Sequence, residues 1–191
     1  MDHIARELAH RAGAAVVSVG YRLAPEHPYP AGLDDCQTVT RWAQRNARQF
    51  GVSPACVAVA GESAGGNLAT AVALRLREKT APLAGQVLMY PSLAAASRRF
   101  RSREEFDGIA LSTAASEGFW AAYSAGRDLS RDPFAVPLAA SSLGKLPPPL
   151  IVLGGCDPLR DEGRLYGARL RSDGVEVDEY CLPGNRTVSS T

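Results

Sequence analysis

The stretch V-A-V-A-G-E-S-A-G-G-N-L-A, Val57 to Ala69, decides the fold. Its first part, C-V-A-V-A over Cys56–Ala60, is short, apolar and Val-containing, as a strand buried on both faces should be. Its last part opens a helical pattern that runs over Asn67–Lys79. Between them lies G-x-S-x-G, as Gly61-Glu62-Ser63-Ala64-Gly65. A serine in that setting sits on a sharp strand-to-helix turn and is pushed out above the sheet. The turn is expected to be too tight for side chains at Gly61 and Gly65. The Ala64 N–H would then point at a developing oxyanion, helped by the positive end of the following helix dipole. A phosphate cradle is the rival reading of a glycine-rich turn. G-E-S-A-G-G does not fit G-x-G-x-x-G, however, and no P-loop lysine follows.

Outward from this turn, helical and strand patterns alternate. Ile4–Arg11 reads as a helix ending near Gly13, and A-A-V-V-S-V-G-Y (Ala14–Tyr21) as a strand. R-L-A-P-E-H-P-Y-P-A-G then breaks all periodicity with three prolines. Asp34 or Asp35 is placed to cap a helix running to about Phe50. G-Q-V-L-M-Y (Gly85–Tyr90) and L-I-V-L (Leu150–Leu153) read as strands, Asp161–Ser172 as a helix, and Val175–Leu182 as a final strand. Strands separated by helices predict an α/β fold with a mostly parallel sheet and right-handed crossovers. The stretch from about 97 to 137 is more polar and carries six aromatic residues, Phe100 and Trp120 among them. It reads as an insertion over the sheet, inside a single domain spanning 1–184.

Composition narrows the function. The 191 residues are 46% hydrophobic and 21% charged, with a net charge of +1 and no dense basic run. Nothing electrostatic points to nucleic acid or an anionic membrane. The cluster Arg98, Arg99, Arg101 and Arg103 is followed by Glu104, Glu105 and Asp107, and reads as a solvated face. The four cysteines (Cys36, Cys56, Cys156, Cys181) show no C-x-x-C spacing and no histidine cluster. No metal and no cofactor are expected, and free thiols in a reducing cytoplasm are the preferred reading. No secretory signal pattern and no apolar run of membrane-spanning length occurs.

Four segments in order carry a specific likeness: Y-R-L-A-P-E-H-P-Y-P-A (Tyr21–Ala31), G-E-S-A-G-G-N-L-A (Gly61–Ala69), P-L-A-A-S-S-L-G-K-L-P-P-P-L-I-V (Pro137–Val152) and C-D-P-L-R-D-E-G (Cys156–Gly163). Together they resemble the hormone-sensitive-lipase-like carboxylesterases, a branch of the α/β-hydrolases, over nearly the whole chain to about Gly184. The resemblance implies an α/β-hydrolase fold and hydrolysis of short or medium acyl esters through a serine acyl-enzyme. Amide or thioester cleavage stays open, because a fold does not choose its chemistry. The resemblance assigns Ser63 as nucleophile, Asp157 as the acid of the triad, and Gly61, Glu62, Ala64 and Gly65 to the elbow and oxyanion site. The rival reading of Asp157 is a cap on the helix behind it; Asp161 and Glu162 are rival acids one turn later. Glu26 and His27 read as surface or packing residues.

The chain departs from the family pattern at both ends. Its histidines are His3, His10 and His27, all ahead of the nucleophile. The family's P-G-x-x-H-G-F segment reads Pro183-Gly184-Asn185-Arg186-Thr187-Val188-Ser189, so Thr187 stands where the catalytic histidine belongs. Threonine is no general base near neutral pH. One allowed codon choice for Arg186–Ser190, read from the third base of the arginine codon, becomes His-Gly-Phe-Leu. An out-of-frame tail over 185–191 is therefore expected. An H-G-G-G type loop, which supplies further oxyanion donors in the family, and the strand that carries it are expected upstream of the first helix and are not in this sequence. The reading is thus an impaired or inactive esterase, with a non-catalytic fragment or pseudoenzyme as the alternative.

Overall fold

The structure, a computed structural model, describes residues 2–77 and 82–184. The expected end of the helix at Lys79 and the tail from Asn185, Thr187 included, lie outside the described residues. Four strands form one sheet: β1 (Val59–Glu62), β2 (Gln86–Met89), β3 (Pro149–Gly154) and β4 (Asp178–Leu182). Their spatial order is their chain order, and every pairing is parallel, with Val59 opposite Gln86, Gln86 opposite Pro149, and Leu150 opposite Asp178. Parallel neighbours require crossovers. These are α3 (Ala64–Leu76) after β1 and α6 (Arg160–Ser172) after β3, with the long 97–137 stretch between β2 and β3. The remaining helices are α1 (Asp2–Ala12), α2 (Ala31–Asn46), α4 (Arg101–Glu105) and α5 (Thr113–Ser124).

The core explains the order. α3 is apolar nearly all round, with Leu68, Ala71, Val72, Ala73, Leu74 and Leu76 buried, as a helix covered on most sides must be. Leu88, Ile151 and Leu153 are fully buried on the sheet, and Tyr166 and Leu170 meet them from α6. α6 comes close to β3 because Gly163 faces Leu153, where an added Cβ would lie 2.5 Å from its Cδ2 atom.

Three expectations about the first half need correction. Ala14–Tyr21 is not a strand: residues 14–20 run without regular structure and are almost wholly exposed, Val16 at 41% and Val17 at 43%. A strand exists only through pairing, and among the described residues no neighbouring strand bonds to this segment. Cys56–Ala60 is strand only from Val59, because Pro54–Cys56 forms a 3₁₀ turn. Neither Asp34 nor Asp35 caps α2; Pro30 holds that position and both aspartates lie inside the helix. Asp35 instead binds Arg22, accepting its backbone N–H at 2.9 Å and its guanidinium at 2.8 Å. These contacts, the side-chain bond first, pull the Asp35 carboxyl down to about 2 from its ordinary 3.8. A depressed pKa means that the stabilisation is complete above pH ~4 and is lost as pH falls through about 2. An NMR titration of the Asp35 carboxyl should show that midpoint, and Arg22→Ala should move it back towards 3.8.

The 97–137 stretch reaches both neighbours of the sheet's carboxyl end. Tyr29 donates its N–H to the Tyr123 carbonyl and its hydroxyl to Asp132, while Ser102 donates its hydroxyl to the Pro158 carbonyl.

Candidate active site

Ser63 occupies the junction of β1 and α3, with φ 50° and ψ −117°. That is a conformation a residue with a Cβ rarely adopts, and it costs on the order of 1–3 kcal/mol. The surroundings hold it there. The Ser63 N–H donates to Met89 O (3.0 Å), continuing the β1–β2 ladder. The Ser63 carbonyl accepts from Ser92 (3.1 Å) and from Asn67 (3.2 Å). The Asn67 side chain donates to the carbonyls of Ser92 and Ala135 at 2.8 and 3.0 Å, tying the first turn of α3 to the loop after β2.

Two glycines make the turn possible, and one of them differs from expectation. A Cβ on Gly61 would lie 2.2 Å from the Gly65 carbonyl oxygen. Gly65 itself has open space where a Cβ would go, so tightness does not explain it. The second close approach is at Gly66, where a Cβ would fall 2.7 Å from Pro91 Cβ. Gly65 carries its own carbonyl into the turn, but its Cα faces outward. Ala64, the first residue of α3, is exposed. Its N–H belongs to the helix's first turn, where no intrahelical acceptor exists.

Asp157 follows β3 by three residues and is 1% exposed. Its Oδ1 accepts the Leu159 N–H at 2.8 Å, and its carbonyl accepts the Arg160 N–H at 3.1 Å. It therefore does turn the chain into α6. β3 lies two strands from β1, a lateral separation of roughly 10 Å. That leaves room for one side chain between a group above β1 and a group above β3. Both sit at the carboxyl ends of parallel strands, where reactive groups of such sheets gather.

The rival acids are committed elsewhere. Asp161 accepts the Ser102 N–H at 2.9 Å and pairs with Arg160. Glu162 is fully buried; it accepts the N–H groups of Leu93 and Ala94 at 3.0 and 2.7 Å and a 3.0 Å ion pair from Arg103. Arg103 is thus no part of a solvated face, unlike exposed Arg98, Arg99 and Arg101. It also donates to the carbonyls of Ala95 and Ala96. Burial raises the Glu162 carboxyl pKa above its ordinary range, against the pull of Arg103 and the two amides. Glu162→Ala should cost about 3–5 kcal/mol in urea unfolding, since it strands a buried guanidinium. Glu162→Gln, which keeps an acceptor for the two amides, should cost markedly less.

The sequence reading missed Tyr90. It follows β2 with φ 36°, and its hydroxyl donates to Glu62 Oε2 at 2.7 Å. Burial first, then the Glu62 carboxylate, pushes its phenol pKa well up. Only its place after an apolar strand, beside the strand that carries the turn, could have pointed to it. His27 and Glu26 are exposed, and His3 and His10 lie on the exposed surface of α1.

Comparison with known proteins gives these positions a context. The sequence pattern of a family described as having the alpha/beta hydrolase fold matches residues 1–186. Over 181 residues the chain is 41% identical to Esterase LipI of Mycobacterium tuberculosis, covering 94% of this chain and 57% of LipI. It is 36% identical to the ethyl acetate hydrolase of Pseudomonas putida, covering 96% of this chain and 58% of that protein. The solved Pyrobaculum calidifontis esterase superposes with a TM-score of 0.92 at 38% identity, covering 96% of this chain and 61% of that one. The chain therefore spans under two thirds of the length of these relatives.

Proposed function

We infer, from the premise that this chain belongs to the α/β-hydrolase family and to its hormone-sensitive-lipase-like branch, that Ser63 is the nucleophile of a carboxylic ester hydrolase. The carrying observation is the strained backbone of Ser63 between a parallel strand and a buried helix. Sequences keep such strain where a surrounding structure enforces it, most often at reacting groups. In the reaction, Ser63 Oγ attacks the ester carbonyl carbon while a base accepts its proton. The carbonyl oxygen becomes an anion facing the Ala64 N–H and the α3 N-terminus. The C–O bond to the alcohol breaks, the alcohol takes the proton, and water then hydrolyses the acyl-serine. Asp157 fits the role of holding the base in the right tautomer. Small ester substrates are the proposed class. Residues 97–137 are proposed to cover the acyl site from above the sheet.

The base itself is the point of departure. The sequence holds no histidine after His27, and Thr187 stands at its place. The second reading, a chain impaired in turnover, rests on that fact. Labelling with a fluorophosphonate separates the two statements. The nucleophile reading expects slow labelling confined to Ser63 by mass spectrometry and none in Ser63→Ala. Labelling spread over other serines, or unchanged in Ser63→Ala, would overturn it. Ester turnover measured in the same sample reports the impairment independently.

A further inference from the structure

The loop that follows β2 holds the Ser63 turn at three successive residues, and the first of them is itself strained. Tyr90 has φ 36°, in the left-handed region that a bulky residue seldom enters. Its N–H donates to the Val152 carbonyl of β3 at 2.7 Å. Its hydroxyl donates to Glu62 Oε2 at 2.7 Å, and Glu62 is the last residue of β1, next to Ser63. Pro91 is buried and lies against Gly66 at the start of α3. Ser92 donates its N–H to the Ser63 carbonyl, and its own carbonyl accepts from the Asn67 side chain.

Of the three, Pro91 acts by packing and Ser92 through its main chain, whereas Tyr90 acts through a polar side-chain atom. A left-handed turn by itself is served better by glycine or asparagine. A tyrosine kept there against its backbone preference points to work done by its side chain. The phenol is kept protonated, and so remains a donor. Burial first, then the Glu62 carboxylate that accepts its bond, and then the Asp157 carboxylate all oppose its ionisation. Tyr90 therefore stands between the two arms of the site. Its hydroxyl holds the residue before Ser63, its N–H holds the strand that leads to Asp157, and its phenol lies in the field of both carboxylates.

We propose that Tyr90 is a positioning residue for the reaction of Ser63: its hydrogen bond to Glu62 fixes the end of β1, and with it the aim of the Ser63 hydroxyl and the Ala64 N–H. This rests on the reading of Ser63 as nucleophile. Tyr90 acts on Ser63 through Glu62, one residue before it, and not on the reacting atoms themselves. Loss of its hydroxyl should therefore slow the covalent step while leaving the binding of a small probe unchanged. A reacting group misplaced by about 1 Å can lose a factor of about a hundred. Phenylalanine keeps the ring in place and removes only one hydrogen bond to a carboxylate, so a loss of about tenfold is expected.

The test is the rate at which a fluorophosphonate labels Ser63, measured against probe concentration to separate the covalent rate constant kinact from the binding constant KI. In that step the Oγ–P bond forms, the P–F bond breaks, fluoride leaves and the hydroxyl proton passes to water. Tyr90→Phe should lower kinact about tenfold and leave KI within about twofold. Glu62→Ala should match it, and the double variant should be no slower than either single one, because both remove the same bond. Glu62→Gln keeps an acceptor for the phenol and should recover most of the rate; comparing it with Glu62→Ala keeps the test sound even if Tyr90→Phe folds poorly. Amide exchange at Ser63 and Ser92 should quicken by about tenfold in Tyr90→Phe, while Ile151 and Leu153 in β3 change little. Unchanged kinact in a folded Tyr90→Phe overturns the proposal. So does a loss confined to KI, a double variant whose losses multiply, or a Glu62→Gln as slow as Glu62→Ala. In each of these Ser63 is still labelled, so the nucleophile reading survives; no label at Ser63 in the parent chain overturns that reading, and this proposal with it.

Discussion

A polypeptide of these 191 residues should hydrolyse a p-nitrophenyl acyl ester roughly ten-thousandfold or more slowly than a complete relative such as LipI. Three terms point the same way, though they do not add. First, Ser63 keeps its proton unless a base takes it. The histidines stop at position 27, and all three are exposed. Removing the histidine of a triad leaves only what the oxyanion site and binding contribute. Second, the 191 residues hold no H-G-G-G run, and an oxyanion donor is worth about 2.7–4 kcal/mol where one has been deleted. Third, among the described residues β1 is hydrogen-bonded to another strand on its β2 side only. Thr187→His by itself should therefore recover little. Adding a His-Gly-Phe segment together with an upstream H-G-G-G segment should recover much of the rate. Steady-state rates of the four combinations decide this. Robust turnover by the unmodified chain, abolished in Ser63→Ala, would show that another base serves.

What the sequence made legible follows from which forces are local. The Ser63 turn was readable because the strand, the glycines and the helix that make it are contiguous. β2, β3 and α6 were readable because apolar runs of the right length need no partner to be recognised: 86–89 and 149–154 lie within or one residue beyond the expected spans. Residues 14–21 have the same local signature and fail as a strand, because pairing is a property of two segments and the partner is not among the described residues. Gly65 differs from the expectation, with Gly66 in its place, for a related reason. Both are glycine in a tight motif, yet only the packing of Pro91 against the helix start tells which one excludes a side chain. The Arg103–Glu162 pair joins residues 59 positions apart, and nothing in either local stretch distinguishes a buried charge from a solvated one. The sign of a patch could be read, but its burial could not.

The largest effect on stability is expected at Gly61, and it separates the two flanking glycines. Gly61→Ala places a methyl 2.2 Å from the Gly65 oxygen and 2.3 Å from the Gly65 carbonyl carbon. Those are backbone atoms, so no rotamer change relieves the overlap; the helix start or the strand end must move. Either movement strains the bonds that hold Ser63, from Met89 on one side and Ser92 on the other. Overpacking of this kind costs about 1–3 kcal/mol in a core that can yield, and more where the backbone is pinned. We expect about 3–5 kcal/mol, the range of the most damaging single substitutions. Gly65→Ala meets open space and replaces a poor helix former in the second position of α3. It should stabilise by up to about 1 kcal/mol or leave stability unchanged. Urea midpoints of the two variants against the parent measure the contrast. Equal losses at the two positions would mean that glycine in this turn serves backbone freedom generally and not the Gly61–Gly65 contact. Because the same contact fixes the aim of Ser63, any folded remainder of Gly61→Ala should also lose fluorophosphonate labelling, whereas Gly65→Ala should keep it.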